Sequence, residues 1–155
     1  MIIRMLLAHP EEMQRLRDDR ARIPSSIDEI VRFTLGWPVG TMRFAVRDFE
    51  LRGQRIRKGE MLMLSFGGAG RDPAVYADPD RLDLDRDVKD LLTFGNGPHY
   101  CLGASLARQE MACMLDALLD ILPPGSQVCE DQMQFEERGI FRRPVNLPVE
   151  IAARS

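Results

Sequence analysis

A mixed fold, mainly α with small antiparallel β-sheets, is predicted by three features of the sequence. Ala107, Met111, Met114, Leu115, Leu118 and Leu122 fall on one helical stripe. Residues between Val39 and Leu64 alternate in the β manner around glycine-bearing turns. Between them, from Asp72 to Asp90, prolines and repeated aspartates follow neither period, which predicts a long irregular segment held in place by side chains. At 155 residues, with 45% hydrophobic and 29% charged side chains, one globular unit with a sizeable core is expected.

In chain order, Ile2 to Ala8 form a short apolar helix, and Pro10-Glu11-Glu12 opens a second, with proline in the first turn and acids at the positive end. Pro24 reads as a break. Ser25-Ser26-Ile27-Asp28-Glu29 then offers a serine N-cap with an acid three residues on, predicting a helix from about Ser26 to Leu35. Helices thus occupy 1–35 and a small sheet 39–66, including a hairpin of Phe49-Glu50-Leu51 and Gln54-Arg55-Ile56 about Arg52-Gly53 and a run from Met61 to Phe66. The irregular meander covers 72–92, a cysteine loop 94–103, the long helix 104–122, and a β-hairpin tail 127–151 with a turn at Arg138-Gly139.

Composition excludes several roles. A formal charge of −3 and a pI near 5.4 leave no basic surplus to neutralise a phosphate backbone, so nucleic acid is not an expected partner. Apolar runs such as Met61 to Phe66 fall far short of the roughly 20 residues of a membrane-spanning helix, and Met1-Ile2-Ile3-Arg4 lacks the apolar centre of a signal peptide. A cytoplasmic chain without membrane attachment follows, its Cys101, Cys113 and Cys129 reduced and without C-x-x-C spacing. Gly67-Gly68-Ala69-Gly70 is not read as a phosphate loop, since no lysine-bearing helix follows it.

The chemistry concentrates in Phe94-Gly95-Asn96-Gly97-Pro98-His99-Tyr100-Cys101-Leu102-Gly103-Ala104. Gly95, Gly97 and Gly103 permit positive φ and let backbone N–H groups turn toward the sulfur, while the following helix start favours negative charge on Cys101. Such a loop suits one thiolate bound to iron, and it equally suits a buried, reduced structural cysteine. Cys113, expected along the helix interior, and Cys129, in a polar tail, are the weaker ligand candidates. Glu29 and Arg32, at i and i+3, read alone as a solvated surface pair.

The loop resembles the haem-binding signature Phe-Gly-x-Gly-x-His-x-Cys-x-Gly of the cytochrome P-450 haem-thiolate monooxygenases, in its bacterial form. Glu29-x-x-Arg32 is similar to that family's Glu-x-x-Arg helix, and Pro79-Asp80-Arg81-Leu82 to its Pro-x-Arg-Phe motif, with Leu82 in place of phenylalanine. Gly70 stands where asparagine is usual. The resemblance implies the C-terminal portion of the cytochrome P-450 fold and haem b (iron protoporphyrin IX) as cofactor. It implies Cys101 as axial iron ligand, Phe94 beside the sulfur, and His99 and Arg43 as donors to the haem propionates. Gly95, Gly97, Gly103, Ala107 and Val39 complete the cofactor-binding set. Val39, Thr41 and Ile140 would face substrate, and Glu29, Arg32 and Arg81 would form a buried ion network under the haem. Arg108 resembles a position where the family meets its electron donor, and reads equally as a solvated arginine.

By the same resemblance the chain is less than half of a family member, and nothing in Met1 to Arg22 is similar to the helix whose acid–alcohol pair delivers protons to dioxygen. The expected activity is insertion of one oxygen atom into a small organic substrate, with a donor such as ferredoxin and a missing N-terminal half or a second copy completing the pocket. A truncated, non-catalytic haem-binding or interaction protein is the alternative, and a degraded gene product a third.

Overall fold

The computed structural model describes residues 1–34, 40–138 and 141–153. Four helices carry the core: α1 (Ile2–Leu7), α2 (Pro10–Asp18), α3 (Ile23–Thr34) and α5 (Ala104–Ile121), with the one-turn α4 (Phe66–Ala69) preceding the meander. Leu6, Leu16, Ile27, Ile30 and Val31 pack with Leu115 and Leu119 of α5, all at most 2% exposed. The predicted stripe on α5 is rotated slightly: Leu115, Leu119 and Leu122 are buried, whereas Met114 is exposed. Arg17 donates to the carbonyls of Leu119 and Leu122, satisfying the acceptors that the end of α5 leaves unpaired.

The expected start of α3 needs correction. Pro24 does not break the chain; it sits in the first turn of α3, where its missing N–H has no helical partner to lose. Ser25 and Ser26 lie inside the helix, and their hydroxyls donate to the Arg22 carbonyl at 2.9 Å each instead of capping the helix start.

The sheets are four separate two-stranded pieces. β1 (Thr41–Phe44) pairs antiparallel with β4 (Met61–Leu64), and β2 (Phe49–Leu51) with β3 (Gln54–Ile56). β5 (Gln127–Val128) pairs with β8 (Val149–Glu150), and β6 (Phe135–Arg138) with β7 (Phe141–Pro144) as the expected tail hairpin. Its turn at Gly139 lies outside the described residues. The β2–β3 turn has φ of 49° at Arg52 and 79° at Gly53, the twist-matched hairpin geometry. Phe66, expected to extend β4, opens α4 instead, because the Ser65 hydroxyl accepts from the Gly68 amide at 3.0 Å and caps it.

Residues 70–91 form neither helix nor strand, Leu92 of the expected 72–92 meander opening a 3-10 turn, and arginines hold them in place. Arg32 and Glu29, with fully buried side chains, pair at 2.6 and 2.8 Å. Arg32 also donates to the carbonyls of Gly70 (2.6 Å), Pro79 (2.8 Å) and Arg81 (3.3 Å). Arg71 donates to the carbonyls of Pro79 and Phe33 and lies 4.3 Å over the Phe33 ring. Glu29 takes further bonds from the Asp83 amide (3.0 Å) and from Arg86 Nε (3.1 Å).

The third cation of the buried network is therefore Arg86, not Arg81. Arg81 is exposed and contributes its carbonyl alone. Leu82 and Leu84 turn into the core, and a turn closed by the Arg86 amide on the Asp83 carbonyl at 2.9 Å then carries the Arg86 side chain back to Glu29.

Candidate functional site

The cysteine loop is built from two short 3-10 turns, Leu92–Phe94 and Gly97–His99, ahead of α5. Gly95 and Gly97 adopt φ of 78° and 73°, which side-chain-bearing residues rarely tolerate, so the loop needs glycine at both. The Asn96 side chain accepts from the Gly97 amide at 2.7 Å, and the Cys101 amide donates to the Phe94 carbonyl at 2.9 Å, closing the loop on itself. The chain then enters α5, with the Ala104 amide on the Cys101 carbonyl and the Ala107 amide on the Gly103 carbonyl.

Cys101 is exposed and lines a cleft of about 610 Å³ together with Phe94, Gly95 and His99 of its own loop. The facing wall is the inner face of the β1–β4 pair and α4: Thr41 and Arg43 from β1, Leu64 from β4, then Ser65, Phe66 and Ala69. The side-chain alternation of a strand explains this wall, since Thr41 pairs with Leu64 and Arg43 with Leu62 on the same face. Arg43 Nη1 donates to the Thr41 hydroxyl at 2.7 Å and to the Met42 carbonyl at 2.9 Å, which orients its guanidinium along the strand.

Of the residues singled out in the sequence, Cys101, Phe94, Gly95, His99, Arg43 and Thr41 thus meet at one cleft. Gly97, Gly103 and Ala107 shape the loop and the helix start without lining it. Val39 and Ile140 lie outside the described residues. Cys113, expected inside its helix, is exposed on α5, and Cys129 is half-buried in the tail. Leu64, Phe66 and Leu92 were not singled out, although the period of β4 carried a signal for Leu64.

Behind the loop, Arg108 is half-buried and fully engaged. Its Nε and Nη2 donate to the two Asp28 oxygens at 2.7 and 3.2 Å, its Nη1 donates to the Tyr100 hydroxyl at 3.1 Å, and its guanidinium lies 4.6 Å from the Phe94 ring centroid. The hydrogen bonds it donates to Asp28, foremost, hold its pKa above the ordinary arginine value.

Among the described residues no cluster of three His, Cys, Asp or Glu side chains could hold a bare metal ion. The cleft does fit a metal that brings most of its own ligands in a flat apolar frame: one thiol, two basic side chains at the rim and walls of Leu64, Phe66, Leu92 and Phe94. No helix among the described residues is long and apolar enough to cross a membrane.

Known proteins resemble the chain in sequence and fold. The family model for cytochrome P450 matches residues 5–145. The mycinamicin IV hydroxylase/epoxidase of Micromonospora griseorubida is 42% identical over 148 residues, 94% of this chain, and biflaviolin synthase of Streptomyces coelicolor is 39% identical over 146 residues, 93% of this chain. The chain spans 37% and 36% of the length of these two relatives. Among solved structures, the cytochrome P450 hydroxylase of the leinamycin pathway of Streptomyces atroolivaceus superposes with a TM-score of 0.84 at 39% identity, covering 96% of this chain and 39% of that one. With likeness at this level in both sequence and fold, the chain belongs to the cytochrome P450 family.

Proposed function

We propose that this chain is the haem-thiolate part of a cytochrome P450 monooxygenase, with Cys101 as the protein ligand to the iron. What carries the reading is the convergence of a solvent-accessible thiol with Arg43 and His99 on one apolar-walled cleft. Haem b bound there would supply dioxygen activation and the transfer of one oxygen atom to an organic substrate. The residues of the chain bind and orient. Cys101 Sγ offers the negative ligand, on a loop whose closure by the Phe94 carbonyl limits its motion. Arg43 and His99 offer charge-assisted hydrogen bonds to carboxylates at the rim, where burial would otherwise disfavour them. Phe94 and Phe66 would give the bound group apolar walls on the sulfur side and the facing side, and Thr41, whose hydroxyl accepts from Arg43, lines the space a substrate would share.

Relatives give the substrate class its outline: mycinamicin IV and nocardicin C are named as substrates of two of them, and one solved neighbour holds a fatty acid carried on an acyl carrier protein. A small or carrier-bound organic molecule is the proposed substrate here, with an electron donor of the ferredoxin kind and an N-terminal portion completing the enzyme.

The test is spectroscopic. Haem-loaded protein, reduced and exposed to carbon monoxide, is expected to show the strongly red-shifted Soret band of thiolate ligation, and Cys101→Ala to lose it while Cys113→Ala keeps it. An identical band in Cys101→Ala would overturn the assignment.

A further inference from the structure

We propose that Arg108 is a positioning residue for the Cys101 loop, tying it to α3 through Asp28 and setting the attitude of the sulfur through Phe94 and Tyr100. Resting on the reading of Cys101 as ligand, the proposal extends it to a side chain that does not line the cleft.

Three directions of contact carry it. The Arg108 fork engages both Asp28 oxygens, fixing the plane of the guanidinium, because a two-point pair leaves it little freedom to rotate. One face of that plane then stacks on Phe94, whose carbonyl accepts the Cys101 amide. The remaining nitrogen holds the hydroxyl of Tyr100, the residue immediately before the cysteine. Arg108 therefore touches both ends of the short segment that presents the sulfur. Asp28 in turn stands next to Glu29, the centre of the buried network that fastens the meander to the same helix. The ligand loop and the meander are thus both referenced to one turn of α3.

The arrangement is unlike an ordinary surface pair. Arg108 and Asp28 are each about one-third exposed, so screening weakens their Coulomb attraction, and the weight falls on directional bonds and stacking. Lysine keeps the charge but not the fork, and cannot hold Asp28 in two-point geometry and Tyr100 together.

The test has one arm without haem and one with it. In the haem-free chain, amide hydrogen exchange is read at Cys101 and, as an internal control, at Leu115 and Leu119 of α5. Loss of a charge-assisted bond should speed opening of the Phe94–Cys101 closure by about tenfold in Arg108→Gln, with the α5 core amides unchanged. Arg108→Lys is expected to fall between wild type and Arg108→Gln, and Tyr100→Phe to show a smaller acceleration. In the haem-loaded chain, Arg108→Gln should move part of the carbon monoxide Soret band from the thiolate position to the unshifted one, with Arg108→Lys again intermediate. Unchanged Cys101 exchange, or acceleration shared equally by Leu115 and Leu119, would overturn the positioning role. Should Arg108→Gln fail to fold, Arg108→Lys and Tyr100→Phe decide by the same comparison. Absence of a thiolate band in the wild-type chain would count against the proposed function, and the exchange arm would still decide on Arg108.

Discussion

Arg86 shows how a single side chain can carry a long irregular segment. Its Nε reaches Glu29, while its terminal nitrogens donate to the carbonyls of Ala77 (2.6 Å), Asp78 (3.2 Å) and Arg81 (3.3 Å). Removing it leaves the Glu29 carboxylate, fully buried, with one cation fewer, and takes a donor from three carbonyls, of which Asp78 keeps the Arg81 amide and Arg81 keeps Arg32. Arg32→Ala is expected to cost roughly 3–5 kcal/mol, because it takes from the buried Glu29 its two-point cation and leaves only the single Arg86 contact and the Asp83 amide to offset the charge. Arg86→Ala should also destabilise by more than about 1 kcal/mol, whereas Arg81→Ala, which spares the carbonyl, should stay within about 0.5 kcal/mol. Urea melts of the three variants check this. An Arg81→Ala protein as damaged as Arg86→Ala would return Arg81 to the network.

Elements, too, are set by local demands, and the strand pair lining the cleft is an example. A Cβ built on Gly40 would lie 1.2 Å from the Leu64 carbonyl oxygen, so the end of the β1–β4 ladder closes only on glycine. Gly40→Ala is expected to open that ladder and to cost more than about 1 kcal/mol of stability, with haem retention falling in parallel because Thr41, Arg43 and Leu64 move together. Haem retention equal to wild type would show that this wall does not hold the cofactor.

At the adjacent hairpin, Asp48 accepts from the Lys58 amide at 2.9 Å and from Arg55 at 3.2 Å, and the amide bond, foremost, holds its pKa below the ordinary carboxylate value. A carboxyl depressed in the folded state contributes stability above its unfolded value and loses it as pH falls through its own lower one. The β2–β3 hairpin should therefore loosen at acid pH, and Asp48→Asn should remove that dependence. An NMR titration placing Asp48 at or above the ordinary value would contradict this.

On the scale of the whole molecule, the surface carries exposed apolar side chains on two sides. Met42 and Phe44 of β1 pair across with Met63 and Met61 of β4, and these four side chains are 46–65% exposed on the face opposite the cleft. Leu102 is fully exposed beside Cys101, and Leu106 is 60% exposed on α5. Exposed apolar side chains in this number favour association. The isolated 155-residue chain is expected to self-associate in sedimentation runs, and Met42→Lys with Met63→Lys to weaken that association. A wild-type chain that remains monomeric at high concentration would refute it.

How much was legible depends on the range of the interaction. Periodicity revealed α5, the β2–β3 hairpin and the helical start, because 3.6-residue and two-residue repeats are properties of neighbouring residues. The loop motif pointed to Cys101, Phe94, Gly95 and His99, since glycine spacing and the ligand sit within a dozen positions. The start of α3 was misread, as Pro24 and the serines carry signals that suit either a helix end or its first turn. The roles of Arg86 and Arg108 were beyond a linear reading: Arg108 was singled out without its partner, and the carboxylates that the two engage stand 57 and 80 residues away. Sequence by itself determined the family, the glycine-built cysteine loop and most helices, because these rest on local chemistry. Tertiary structure alone decided which arginine completes the buried network and which one braces the cysteine, because burial and the meeting of distant carbonyls and carboxylates exist only once the chain has folded.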